Sequence, residues 1–373
     1  MAKPKANPGA APPSPTPSTR RPLNTLFLLL FLATSAVFTW LMRVDTVRND
    51  VPTGFQSVME TSALDNGVPL VASYTGVRAV DEISKLLVAA FIAGTAGWDA
   101  GVHEQQAYFL MNWFPVVCVC CVEGARTRNA GRVVSYVALL SAFYQTLGAG
   151  IVLPLYYAAY GREVPIASAR VLLPAAVLGY LAPTAALWYV PWGDVTTVQH
   201  LTLFWQPSPI YVSALVSLFS FFAPSATAKN GDVKHLKRVY LAAGIVSTAS
   251  HFLMLYNCLT SDNPQLSLSY VFLPNRAAWK DSMTMGLHYI FQWDFFGAFG
   301  SLLFWCWLVV YDVLRILGQS GPLPLIKTVF GIAFVTLVAS PGTAIAMVCS
   351  WREDRLVMIE SGIRGTLKKP KAA

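Results

Sequence analysis

An aspartate stands inside an apolar run of this 373-residue chain. It is Asp294, in the stretch His288-Tyr-Ile-Phe-Gln-Trp-Asp-Phe-Phe-Gly297. Counted from residue 286, it lies about 12 Å into a helix at 1.5 Å per residue. Ionisable groups inside a membrane-length apolar segment are costly and so mark functional candidates. Its sequence neighbours Phe291, Trp293, Phe295, Phe296 and Phe299 are aromatic. Such surroundings disfavour a charged carboxylate, and a carboxyl that keeps its proton can serve as a general acid. The competing reading is an Asp hydrogen-bonded to another helix.

Two further acids belong with it. Glu123 closes another apolar run, with Gln105 and Asn112 on the same helical face. Its alternative role is to pair with Arg126. Asp81 clusters with Glu82 and Lys85 where a third run starts. It is either an acid at the mouth of a cavity or the partner of Lys85 one turn on. Asp294, Glu123 and Asp81 are therefore the candidate catalytic residues. Ser141, Gln145, Gly148 and Tyr156 form a polar stripe on another span, which Pro154 is expected to bend, and Tyr144 lies one residue off that stripe. Small and polar residues so spaced also join helices, so substrate contact and packing both stay open. The same holds for His251, one turn from Ser247.

The six cysteines (Cys118, Cys120, Cys121, Cys258, Cys306, Cys349) lie in or beside apolar runs, with no zinc spacing or disulfide framework. The five histidines form no pair at helical spacing within a span, so no metal site is expected. Aromatic residues make up 13% of the chain, with eleven Trp. Trp40, Trp98, Trp188, Trp192 and Trp279 suit interfacial belts. Aromatic faces also attract cations. A buried acid among many rings in a dry cavity suits carbocation chemistry started by protonation, although a lipid-binding bundle would carry similar features.

The elements that position these groups follow from composition. Apolar residues are 55% and charged residues 12% of the chain, against about 25% charged in a soluble domain. The chain is read as an all-α, multi-pass bundle of eight or nine apolar spans in a lipid bilayer. They run near 23–42, 83–98, 107–122, 133–158, 169–190, 201–223, 238–258, 286–313 and 324–348. Unpaired backbone groups are not tolerated in lipid, and the runs do not alternate with period two, so helices are expected. The run at 83–98 is short enough to be re-entrant or interfacial. Residues 1–22 read as a disordered Pro/Ala/Ser-rich tail ahead of a signal anchor, 23–350 as the bundle and 351–373 as a basic tail. Basic stretches at 1–21, 126–132, 229–238 and 352–371 contribute to a net charge of +8. No even or odd count of crossings puts all of them on one side, and the last favours a cytoplasmic C-terminus. No nucleic-acid-binding motif accompanies the charge.

Several stretches resemble a family of fungal multi-pass membrane proteins of terpenoid gene clusters, of the ascochlorin/ascofuranone and paxilline indole-diterpene types. They are Thr75-Gly-Val-Arg-Ala-Val-Asp81, Gln106-Ala-Tyr-Phe-Leu110, Tyr144-Gln-Thr-Leu-Gly148 with Leu153-Pro-Leu-Tyr156, Phe204-Trp-Gln-Pro207 and Gln292-Trp-Asp294. The resemblance covers roughly residues 75–315 and implies a non-canonical terpene cyclase. Such an enzyme protonates a terminal epoxide or alkene of a hydrophobic prenylated substrate and needs no cofactor. Trp293, Gln145, Tyr144, Tyr156, Asn112, Gln206 and His251 are the expected substrate-contacting residues, and Asp294 the expected proton donor. The family context implies the endoplasmic reticulum and association with a pathway epoxidase. The chain has no D-D-x-x-D or N-D-x-x-D run of metal-dependent terpene synthases and no D-x-D-D run of soluble protonating cyclases. A membrane scaffold for pathway enzymes and a small-molecule or lipid transporter are the other readings. The sequence shows no pair of broken spans that would favour the transporter.

Overall fold

The computed structural model describes residues 21–156, 164–224 and 229–361. Among these the chain is helical, without a named strand. In chain order the helices are α1 Asn24–Arg48, α2 Phe55–Thr61, α3 Arg78–Thr95, α4 Ala100–Ala125, α5 Val137–Leu147, α6 Ala149–Tyr156, α7 Ile166–Tyr189, α8 Val195–Trp205, α9 Ser208–Phe222, α10 Val233–Thr260, α11 Leu268–Phe272, α12 Met283–Ile316, α13 Pro322–Val338 and α14 Pro341–Glu360. Of these, α1, α4, α7, α10 and α12 are long and apolar enough to cross a membrane. Asp99 caps α4, Asp194 caps α8 and Ser282 caps α12, each accepting a first-turn N–H.

Directions follow from contacts. Arg21, at the start of α1, bridges to Asp312 near the end of α12, and Phe38 meets Trp293, so these helices are antiparallel. The central helix α4 runs with α12: Gln105 donates to the Phe291 carbonyl and Phe109 packs on Phe295. α10 runs against α4, with Asn257 bonded to Glu104 and Tyr108 to His251. α7 also runs against α4, and the α8–α9 pair against α7, through Trp205 on Thr184 and Ser220 on Ser168.

Two of the expected spans do not cross. Val137 lies against Gly124 and Tyr144 against Trp113, so α5 runs back along α4. Arg43 then bonds the Thr146 and Leu147 carbonyls while Ser35 bonds the Ile151 carbonyl. Since α1 lies antiparallel to this order, α6 returns toward the face from which α5 came. The run at 133–158 is a re-entrant hairpin, and its turn is Gly148 rather than a bend at Pro154. The run at 324–348 does the same. α13 passes Trp307 at Leu325 and reaches His251 at Leu337, and α14 returns past Thr248 at Thr343 to Lys237 at Asp354. The run at 201–223 is broken at Gln206–Pro207.

Gly148 has φ +100°, and a Cβ there would stand 2.6 Å from the Met42 methyl and 3.2 Å from Asp294 Oδ1. Gly148→Ala is expected to cost about 1–3 kcal/mol, chiefly through backbone strain, because the Met42 side chain can yield. A lowered thermal midpoint of the detergent-solubilised protein measures this. An unchanged midpoint would mean the turn tolerates a side chain.

The expected basic tail starts late, because α14 continues through Glu360 and buries Arg352 and Glu353. The expected tail at 1–22 falls almost entirely outside the described residues, as does the chain beyond 361. α3 is amphipathic, with four charged residues in its first two turns, and is not among the helices long and apolar enough to cross. Trp40, Trp98 and Trp192 are exposed as interfacial residues would be, but Trp188 and Trp279 are buried.

Candidate active site

Breaking a helix inside an apolar bundle frees carbonyls on one side and N–H groups on the other, and these must be bonded within the protein. The residues that bond them here are largely those expected to touch substrate. At the first hairpin tip, Arg43 takes the last carbonyls of α5. Asp294 Oδ1 accepts the Gly150 N–H of α6 at 2.6 Å. A cation at a helix C-terminus and an anion at an N-terminus both suit the helix dipoles. At the second tip, His251 Nε2 lies 3.2 Å from the Leu337 carbonyl and Asn112 Oδ1 accepts from Gly342 N–H at 3.1 Å. Tyr108 hydroxyl is bonded to His251 Nδ1, so both imidazole nitrogens are occupied. At the third break, Gln145 donates to the Gln206 carbonyl at 2.7 Å, and Gln206 donates to the Leu87 carbonyl.

The three candidate acids share no partner. Glu123 accepts from Arg126 (2.8 Å) and Arg352 (2.7 Å), and Arg126 also bridges to Glu353. This buried group of two guanidinium and two carboxylate groups ties α4 to α14. Its carboxylates are committed to cations, so the pairing alternative describes Glu123. Asp81 does not pair with Lys85, which instead lies 3.6 Å from Glu82. Asp81 accepts from the Ser73 and Thr75 hydroxyls and from the Tyr74 and Thr75 N–H groups. The family-like stretch Thr75–Asp81 is thus a cap that fastens the chain at the start of α3.

The Ser73 hydroxyl bond, with the backbone and hydroxyl bonds from Thr75 and the Tyr74 N–H, holds the Asp81 carboxyl well below the usual carboxylate range, against the opposing effect of burial. A depressed folded-state value means the contribution to stability is complete above the unfolded value near 4 and is lost as pH falls below it. Protection of the amides in residues 73–81 against hydrogen exchange, corrected for the intrinsic rate at each pH, is expected to fall in acid, and Asp81→Asn to remove that pH dependence. Identical pH profiles for both proteins would contradict this.

Asp294 is different in kind. It is buried, sits within a long apolar helix, and among the described residues its carboxyl makes no ion pair and is hydrogen-bonded by backbone N–H groups at the start of α6, Gly150 and Ala149. Trp293 packs among Phe38, Tyr289 and Phe296, with no partner for its indole N–H among the described residues. Tyr144 is buried against Trp113, which joins Phe109, Phe295 and Phe299 in one aromatic cluster. These rings fill one another's space. The Tyr156 side chain lies outside the described residues. No group of metal-ligating side chains is present among the described residues.

Sequence reasoning missed Arg43, one residue past the apolar run at 23–42, and Asp99, which bonds Val102 N–H, Gln265 and Tyr270. An arginine directly after an apolar run was the available signal for the first.

Residues 24–358 match the CtvD domain family. The chain belongs to that family. It is 24% identical to terpene cyclase DEP1 of Fusarium langsethiae, over 88% of this chain and 98% of that one. It is also 24% identical to terpene cyclase ascI of Acremonium egyptiacum, over 68% and 72%. To the FAD-dependent monooxygenase verC1 of Penicillium polonicum it is 25% identical, over 79% of this chain but only 38% of that longer protein. No solved structure is a significant match.

Proposed function

We propose that this member of the CtvD family is a terpene cyclase of fungal secondary metabolism, working within a membrane on a hydrophobic prenylated substrate. The enzyme class is supported by the two relatives named terpene cyclases. The observation that carries the mechanism is Asp294, the buried carboxyl held by backbone N–H groups rather than by a cation. Protonated on Oδ2, it keeps Oδ1 as the acceptor for Gly150 and so stays oriented. It gives its proton to an epoxide oxygen of the substrate. The adjacent carbon–oxygen bond breaks, and the nearest alkene supplies the electron pair of a new carbon–carbon bond. The final cation loses a proton or is captured by an internal hydroxyl, so the product is an isomer of the substrate. The carboxylate left behind faces the N-terminus of α6, with Arg43 at the adjoining helix end, an arrangement that stabilises developing negative charge. The epoxide fits supply by a monooxygenase of the same pathway, and the endoplasmic reticulum is the membrane we expect.

Microsomes containing the chain, given an epoxidised farnesyl phenol, are expected to form a product of equal mass and new retention time by liquid chromatography with mass detection. If a panel of epoxide and polyene substrates stays unchanged with well-folded protein, the scaffold reading takes its place. The two hairpins supply the pair of broken spans that the sequence did not reveal, and that favours a second reading, a transporter. Inverted repeats would bring one hairpin in from each face, whereas both enter here from the same face. Flux of an unaltered compound across vesicles would nevertheless select that reading.

A further inference from the structure

The first turns of α10 carry Lys234, Lys237 and Arg238, spaced so that the three side chains share one helical face. Together with Val233 and with Asp354 and Val357 of α14, they line a groove of about 570 Å³. Its charge is unbalanced. Lys237 bridges to Asp354 at 2.8 Å. Lys234 and Arg238 are exposed, and neither has an ion pair among the described residues. Asp232, next in the chain, is turned to the Val164 N–H. Three cations thus meet one carboxylate in the groove, and an anion would balance them.

The position of the groove says which anion. α10 has 28 residues, about 42 Å at 1.5 Å per residue, against a hydrocarbon core of about 30 Å. It outruns the hydrocarbon, so charged turns at its start belong among lipid headgroups. Deeper along α10 the same face becomes apolar. Helical steps from Lys234 lead through Arg238 to Leu241, Ile245 and Phe252, and these three apolar side chains are exposed. A soluble phosphate would meet only the cations, whereas a phospholipid meets the cations and the apolar strip.

We propose that the groove between α10 and α14 seats an anionic phospholipid, its phosphate on Lys234 and Arg238 and an acyl chain along Leu241, Ile245 and Phe252. The seat involves neither Asp294 nor the hairpin tips, and its test does not depend on the cyclase reading.

Native mass spectrometry of the full chain in detergent decides it, with phosphatidic acid and phosphatidylcholine of identical acyl chains as probes. Phosphatidic acid is expected to bind saturably and about tenfold or more tightly than phosphatidylcholine, since each basic residue at a membrane surface contributes about fivefold to holding an anionic lipid. Lys234→Gln with Arg238→Gln should remove most of that preference. Arg48→Gln with Lys280→Gln deletes the same charge from exposed positions at the opposite face and should leave the preference intact. Glycerol 3-phosphate, the headgroup without its chains, should displace the lipid only at about a hundredfold higher concentration or more. Equal binding of the two lipids by the wild type, a preference that survives the Lys234 and Arg238 changes, or an equal loss in the Arg48 and Lys280 protein would overturn the proposal. So would displacement by glycerol 3-phosphate at the lipid's own concentration, which would make the groove a site for soluble phosphates. The wild-type comparison decides alone should a variant fail to fold.

Discussion

Asp294→Asn will reduce cyclisation by a factor of about 10²–10⁴, the usual contribution of a positioned general acid, while the bundle stays folded. The separation of the two effects comes from the geometry at the hairpin tip. The amide oxygen of Asn can still accept the Gly150 N–H that Asp294 Oδ1 accepts at 2.6 Å. What is lost is the transferable proton and the negative charge that remains after transfer. Asp294→Ala removes the acceptor as well, and should lower stability by about 1 kcal/mol, the ordinary value of a helix N-cap. The pair of variants therefore distinguishes an acid from a cap. Turnover in microsomes and the thermal midpoint in detergent are the measurements. If Asp294→Asn turns over at the wild-type rate, Asp294 is only the cap of α6, and the proton donor lies elsewhere.

Arg352→Met is expected to produce the largest loss of stability. It strips one guanidinium from Glu123, which it meets at 2.7 Å in a group with almost no exposure. Breaking a buried ion pair from one side costs about 3–5 kcal/mol, because the remaining charge is left without compensation. Removing both partners, as Glu123→Met with Arg352→Met, should recover most of that loss. Arg126 and Glu353 then remain as a balanced pair. The thermal midpoints of the single and double variants form the measurement. A mild effect of the single change would mean that water reaches the cluster. Turnover by the folded double variant would also settle whether Glu123 has any part in the chemistry.

How far the sequence could be read differs between the bundle and its site. The apolar runs stood out because lipid demands long stretches without charge, and α1, α4, α7, α10 and α12 fall where those runs do. The hairpins did not stand out. Gly148 and Ser340 turn the chain within runs that are apolar on both sides, so hydropathy alone cannot distinguish a turn from a crossing. The same blindness affected the polar residues. Asn112, Gln145, Gln206 and His251 were legible as polar groups in costly places, which they are. Their cost is met by backbone groups freed at the breaks, and without knowing the breaks those groups are invisible. Asp294 was legible by the same reasoning, and it too holds a break. It differs from the others in being a carboxyl, the group that the proposed mechanism needs as its acid.

The hairpins also resolve the distribution of charge. Each begins and ends at one face of the bundle, so neither changes the side on which the chain continues. The described start at Arg21, the turn carrying Arg126, the lysines that open α10 and the end of α14 beyond Arg352 consequently gather at that single face. A membrane orientation with that face cytoplasmic would carry none of these basic segments through hydrocarbon.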